Sequence, residues 1–547
     1  MKPNYKIAIL ILTCGVSMSF SSCTNLLDEK PYGQFTSGQI DDASIEGLMA
    51  AAYAGLEAHF FGNNESFTAP ATNWVFDVRS DDAYKGGGGV SMEASIHQLE
   101  ISNLTSDNPT AVNKWKNNYF AISRIHKAMN AVRDANIAKK DELMAELRLL
   151  RAHFYFDLIR IFERIPYLTE DSDPSTVTNK EFTREQIFDK LKDDLQFAWD
   201  NLPENQPSVG RFNKYVAAAY MAKVALETRD WAKTVEFADY VIGSSKYALY
   251  DNYLDMSKIE FNNQKESVMA IQFSTANNNA HINWGNLLNT TYSDGNLFGS
   301  GDDFFLGSQN LVNAFRTDEN GLPYPDNFNE VNVTASYTGN VDPRLDFTVG
   351  RIGIPFRGHT YNERWCRAYD IYGEYSGKKG MIDPASADMV QGFPWGASSL
   401  NYSIIRYADV LLWKAEALIE SNQNPDGART IINDIRAKAK RSVDAGYAPV
   451  DVDPVRVSYK IETYPATGWT QEYARKALRM ERRLELALEG HRWFDLVRWG
   501  EAVQVVNKYM REEETLRPYY QDGTISENEI YLPVPKDEVE NSGGLYD

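Results

Sequence analysis

Along much of this chain apolar residues recur at three- and four-residue steps, the period of an amphipathic helix. The first such run begins near Ile45, in IEGLMAAAYAGLEAHF. Residues 110–135 follow, with Trp115, Tyr119, Ile122, Ile125 and Met129 on one face, and then residues 140–162. Further helical runs cover 183–200, 213–228 and 230–243. After a break they resume at 404–421, 427–441, 470–489 and 491–512. Pro166, Pro203, Gly243, Pro425 and Gly490 mark the joints.

The break, roughly 245–400, is rich in Asn, Gly and Tyr and has little helical period. Its β-prone runs include ESVMAIQFS (266–274) and RLDFTVGR (344–351). The GGGG run at 86–89 predicts a flexible loop. Two segments, 218–242 and 411–435, can be laid over each other as helix-turn-helix units, Ala225-Leu226 matching Ala417-Leu418. The pattern therefore predicts a mainly α fold: a tetratricopeptide-like helical hairpin scaffold with a large irregular, loop-rich insertion carrying short β-strands. A long insertion on a rigid base is where binding surfaces usually sit.

The first residues break this pattern. Lys2 and Lys6 precede a short apolar stretch, and Ser21 and Ser22 come just before Cys23. That stretch is far below the roughly 20 apolar residues a membrane helix needs, so it predicts a signal peptide over 1–22. A cysteine at the cut point resembles a bacterial lipobox and predicts lipidation of Cys23. Residues 23–40 then form a tether, and 41–547 the body, divided into 41–244, 245–400 and 401–547. Cleavage removes Cys14 and lipidation consumes Cys23, which leaves Cys366 alone and no intrachain disulfide.

Net charge is −20, and losing Lys2 and Lys6 makes it −20 − 2 = −22. Phosphate neutralisation needs clustered Lys and Arg, so a nucleic-acid partner is excluded. The same charge excludes electrostatic docking on anionic lipid, which leaves acylated Cys23 as the hold on the bilayer.

No P-loop, GxSxG or HExxH occurs. The seven histidines show no ligand spacing. Asp81-Asp82, Asp193-Asp194 and Asp302-Asp303 are adjacent pairs, a spacing that does not establish the geometry of a glycosidase; Asp193-Asp194 is expected on a solvated helix face. No catalytic residue and no metal ligand is assigned. The acidic loops leave a structural Ca2+ open, and no other cofactor is expected.

Aromatics beside polar residues are the stronger signal. Sugar rings offer apolar C–H faces and a rim of hydroxyls, which aromatic platforms flanked by Asn, Asp or Arg can hold. Residues 72–84 supply Trp74, Asp77, Arg79, Asp81 and Asp82. Residues 281–292 supply Trp284, Asn286, Asn289 and Tyr292. Residues 364–375 and 392–398 supply Trp365, Tyr369, Tyr372 and Trp395.

Four blocks carry a family resemblance: SSCTNLLDEKPYGQFT (21–36), NYSIIRYADVLLWKAEALIE (401–420), ALRMERRLELALEGHRWFDLVRWGE (477–501) and IYLPVPKDEVENSGGL (530–545). Together they resemble the SusD/RagB family of outer-membrane nutrient-binding lipoproteins of Bacteroidetes. The resemblance implies a non-enzymatic lid, lipid-anchored at the cell surface, that captures oligosaccharide for a SusC-like TonB-dependent transporter. Some branches take peptides instead, and a surface glycosidase is the more distant alternative. It also implies ligand loops at 72–84 and 281–305, with 364–398 nearby. Arg406, Asp409, Arg482, Arg483, Glu485 and Glu489 read as scaffold, their salt links worth little if exposed.

Overall fold

The computed structural model describes residues 42–57, 74–276, 281–283, 289–292, 297–298, 301–390, 396–444 and 457–547. The signal peptide, Cys23 and the tether lie outside them.

The first part contains α1 (Asp42–Tyr53), β1 (Ala83–Gly86), α2 (Ala94–Glu100), α3 (Pro109–Asp134), α4 (Lys140–Ile161), α5 (Arg184–Asn201), α6 (Lys214–Glu227) and α7 (Trp231–Gly243). The starts of α3, α5, α6 and α7 are written in side-chain caps. Asn108 accepts from the backbone N–H groups of Thr110 and Ala111, and Pro109 follows at the first helical position. Thr183 and Gln186 form a reciprocal capping box on α5. Asn213 and Asp230 cap α6 and α7.

The middle of the chain contains β2 (Ser267–Ile271), β3 (Phe304–Gly307), α8 (Gln309–Ala314), β4 (Asn340–Val341), α9 (Arg344–Thr348), β5 (Pro355–Phe356), β6 (His359–Thr360), α10 (Tyr369–Tyr372) and β7 (Tyr402–Arg406). The last part contains α11 (Tyr407–Glu420), α12 (Pro425–Asp444), β8 (Ser458–Tyr459), α13 (Gln471–Leu486), α14 (Arg492–Trp499) and α15 (Ala502–Glu513), with a short helix at Lys536–Asn541.

The helices stack in sequence, α3 on α4, α4 on α5, α5 on α6 and α6 on α7. The stack then continues from α7 directly onto α11, and from α11 onto α12 and α13. The two overlaid segments are thus neighbouring hairpins in space, and the mainly α, hairpin-built fold is as expected. What closes the break is an antiparallel pair: β2 and β7 run from Ser267 opposite Arg406 to Ile271 opposite Tyr402. A second antiparallel pair, β1 with β3, ties the middle of the chain to the start, with Tyr84 opposite Leu306.

The large core joins these parts. Leu147, Leu150 and Phe154 of α4, Ala217–Ala219 of α6 and Leu412 and Ile419 of α11 are all buried in it. A smaller cluster around Phe298, Tyr361, Trp365 and Met381 packs within the middle region.

Several expectations are corrected. Residues 404–406 belong to strand β7, because they complete the ladder with β2. The run 491–512 is two helices, split at Gly500. There φ is 75°, the Gly500 N–H donates to the Val497 carbonyl and the Glu501 N–H to the Leu496 carbonyl. This left-handed glycine stop satisfies the last carbonyls of α14. Residues 344–348 are a helical turn, since Asp342 accepts from the Arg344 N–H at 3.0 Å and starts it. The GGGG run is a packed turn. Gly86 and Gly87 have φ of 78° and 71°, and a Cβ on Gly87 would lie 2.5 Å from the Phe304 ring. Lys85 seals it, donating Nζ to the carbonyls of Gly89 and Met92 at 2.8 and 2.5 Å. Asp194 is buried, bonded by Arg151 at 2.8 and 2.7 Å, while Asp193 is exposed.

Candidate functional site

The acidic run after Trp74 folds inward. Trp74 opens a 3-10 helix, Trp74–Arg79, and its side chain lies outside the description. Asp77, Arg79, Asp81 and Asp82 are each at most 2% exposed. The Gly490 N–H donates to Asp77 Oδ2 at 2.8 Å. Arg79 donates to the Glu529 carbonyl at 2.6 Å and sits 4.1 Å over the Trp493 ring. Arg492 grips both Asp81 oxygens at 2.8 and 3.0 Å, and Arg483 donates to Asp82 at 2.7 Å. Burial alone would raise the Asp81 carboxyl, but Arg483 and Arg492 hold it down to about 2. For Asp77 burial wins, helped by the charge of Asp82, and its carboxyl is raised well above the usual range. These four side chains bind protein, not solvent, so they are scaffold rather than ligand contacts. Sequence reading sees their polarity but not partners some 400 positions away.

Trp365 is also internal, packed 5.2 Å from Phe298 and 5.1 Å from Tyr361, ring centre to ring centre. Tyr372 is buried among Tyr84 and Tyr519. Asn289 is buried as well. Trp284, Asn286 and Trp395 lie outside the described residues.

The scaffold reading of the ERRLE block holds, but its charges are not exposed. Arg482 bonds Asp409 and Asp495, and Arg406 bonds Glu266, Glu485 and Glu489. Arg344 bonds Asp342, Glu481 and Glu485. Each is buried, where breaking one partner costs about 3–5 kcal/mol.

Among the described residues, two predicted side chains reach the surface. Tyr292 is 47% exposed and Tyr369 38%. Arg367 connects them. Its guanidinium lies 5.2 Å from the centre of the Tyr292 ring and pairs with Asp302. Its backbone N–H donates to Asp303 Oδ2 at 2.9 Å. Arg364, Arg367, Tyr369 and Asp370 line an open recess of about 720 Å³. The glycine turn borders it: a Cβ on Gly88 would lie 3.4 Å from Arg367 Nε, and one on Gly89 would lie 3.3 Å from Ile371.

Asp303 holds this arrangement from below. It is buried, with φ of 59°, and its carbonyl accepts from the Gly87 N–H at 2.8 Å. Burial pushes its carboxyl up to about 7 against hydrogen bonds from Ser376 and the Arg367 backbone. Arg367 is the residue that sequence reasoning missed, although a lone cation midway between Trp365 and Tyr369 was a readable signal. An exposed ring beside a pinned guanidinium offers an apolar face and a fork of donors.

The fold defines a helical-hairpin scaffold with loop-rich segments and short strands. A family model described as "SusD family" matches residues 265–547, and one described as "Starch-binding associating with outer membrane" matches residues 25–226. The chain belongs to the SusD family. It is 26% identical over 515 residues to SusD-like protein P2 of Formosa agariphila, covering 90% of each chain. It is 25% identical over 524 residues to a SusD-like protein of Bacteroides ovatus, covering 90% of this chain and 82% of that one. Its fold matches a laminarin-binding SusD-like protein with a TM-score of 0.67 at 20% identity, covering 93% of this chain and 98% of that one. It also matches surface glycan-binding protein A from Bacteroides thetaiotaomicron in complex with laminarihexaose, with a TM-score of 0.68 at 18% identity, covering 92% and 98%.

Proposed function

We propose that this protein is a non-enzymatic, cell-surface glycan-binding lipoprotein of the outer membrane, held by acylated Cys23. It captures an oligosaccharide and passes it to a SusC-like TonB-dependent transporter. The observation that carries this reading is the exposed Tyr292–Arg367–Tyr369 face on a SusD-family body. Solved structures of the same fold named for laminarin and laminarihexaose support the ligand class. Tyr292 and Tyr369 supply ring faces for sugar C–H groups, and Arg367 donates to hydroxyls. Trp74, Trp284, Asn286 and Trp395 remain proposed contacts.

The test is calorimetric titration with a glycan panel that includes laminarin oligosaccharides, with the mixtures analysed for chain length. Saturable binding without shortening is expected, weakened about tenfold or more, roughly 1.4 kcal/mol, in Arg367→Ala and in Tyr292→Ala. Full affinity in both variants removes the site. Shortened glycan products overturn the binding-only reading. Saturable binding of peptides with no glycan affinity replaces the ligand class.

A further inference from the structure

Lys85 lies on β1 and its side chain is buried. Among the described residues its ammonium meets no carboxylate within 4 Å. It donates instead to the carbonyls of Gly89 and Met92, and it lies 5.0 Å from the centre of the Phe304 ring and 5.8 Å from that of Tyr372. Burial lowers this ammonium to about 8 against the charges of Glu100 and Glu93, so it is a cation at neutral pH. The Lys85 N–H donates to Glu100 Oε1 at 3.0 Å, and that oxygen also accepts from the Tyr520 hydroxyl at 3.0 Å. The side chain thus starts from a fixed backbone and reaches across the turn that follows it.

That turn is held from inside at two places. Lys85 holds its far half, and the Gly87 N–H donates to the Asp303 carbonyl at 2.8 Å. Gly87 and Gly89 are buried, whereas Gly88 between them is exposed. A Cβ on Gly88 would lie 3.4 Å from Arg367 Nε and 3.8 Å from Arg367 Cζ, so the tip of the turn backs the guanidinium that lies against Tyr292. Asp303 joins the two parts: its carbonyl takes the Gly87 N–H and its carboxyl takes the Arg367 N–H. A buried carbonyl left without a donor is costly, and binding groups keep their geometry only while a supporting shell holds them.

We propose that Lys85 is a positioning residue of the glycan face, acting through the glycine turn to keep the Arg367 guanidinium beside Tyr292. This rests on the glycan face proposed above, so the experiment has one arm without glycan and one with it. The first follows hydrogen exchange of the folded full chain by mass spectrometry. In Lys85→Met, exchange over 86–92 and over 364–371 is expected to speed tenfold or more, with α6 and α11 at the parent rate. The second titrates the glycan panel in a double-mutant cycle. Lys85→Met is expected to weaken binding tenfold or more in the parent, but less than twofold in Arg367→Ala, because an effect exerted through Arg367 vanishes with it. A merely structural role gives the same loss in both backgrounds. Unchanged exchange over 364–371, full affinity in Lys85→Met, or equal losses in the two backgrounds overturns the proposal. If the parent binds no glycan, the glycan reading falls, and exchange over 364–371 still decides whether Lys85 positions Arg367. If Lys85→Met does not fold, Lys85→Gln takes its place in both arms.

Discussion

Asp303 concentrates the residue-scale physics of the site. A free aspartate titrates near 3.9, whereas burial carries Asp303 to about 7. Between those values the unfolded chain gives up a proton that the folded chain keeps, so stability falls as pH rises from about 4 to 7. Asp303→Asn keeps an oxygen to accept from the Arg367 N–H and removes the charge. The variant is expected to be more stable by roughly 2–4 kcal/mol at pH 8 and equal to the parent below pH 4, measured by urea unfolding across that range. A gap that stays constant with pH would sink the idea. At this scale little was legible in advance. Asp81 and Asp82 share the composition of a sugar site, and only their arginine partners on α13 and α14 show that they serve the scaffold. The aromatic signal in polar segments does not separate the exposed Tyr292 and Tyr369 from Trp365 and Tyr372, which are buried.

At the scale of elements, period and punctuation carried most of the information. Helices α3 to α7 begin and end within a residue or two of the expected bounds because their apolar stripes and, in all but α4, their N-caps agree. Expectation failed where long-range pairing or glycine geometry decided. The apolar run before Tyr407 became strand β7, since only β2 supplies its ladder partner. Two glycines separate the causes of such constraints. At Gly500 a Cβ would meet nothing within 4 Å, so Gly500→Ala pays only for the left-handed backbone, about 1–2 kcal/mol. Gly307 has no left-handed backbone, but a Cβ there would lie 2.4 Å from Val349 Cγ1, so Gly307→Ala must push β3 and Val349 apart. Thermal unfolding should therefore rank Gly307→Ala as the more damaging. It should also show weakened glycan binding in that variant alone, because β1 and β3 carry the glycine turn beside Arg367. The opposite ranking would mean that the β1–β3 pair yields easily.

At the scale of the molecule, buried charge runs through all parts of the chain. Glu485 meets Lys438, Arg406 and Arg344, Glu489 meets Arg406 and Lys379, and Asp495 meets Arg482 and Arg498. Burial opposes ionisation of these three acids, yet their cations win and hold each down to about 2. Their folded values lie below the unfolded ones, so their stabilisation is complete above about pH 4.5 and is lost as pH falls toward 2. Acid should then unfold the helices and the middle region together. Far-ultraviolet and near-ultraviolet circular dichroism are expected to give coincident transitions, and an earlier near-ultraviolet transition would show the middle region melting by itself. The family-like ERRLE block announced a scaffold, but a single sequence does not reveal that its charges are desolvated.

The β2–β7 ladder has one more consequence, for how this molecule can vary. Residues Ile271 and Tyr402 sit opposite each other, so the long excursion between them leaves and rejoins the helical stack at nearly one point. Paired strands fix a separation of about 5 Å whatever the length of chain beyond them. Lengthening such a loop is entropically cheap, roughly 0.6 kcal/mol per doubling. The ladder acts as a socket: loops beyond it that carry neither the large core nor the buried ion pairs of Arg344 can be exchanged, while the register of α7 against α11 stays where it is.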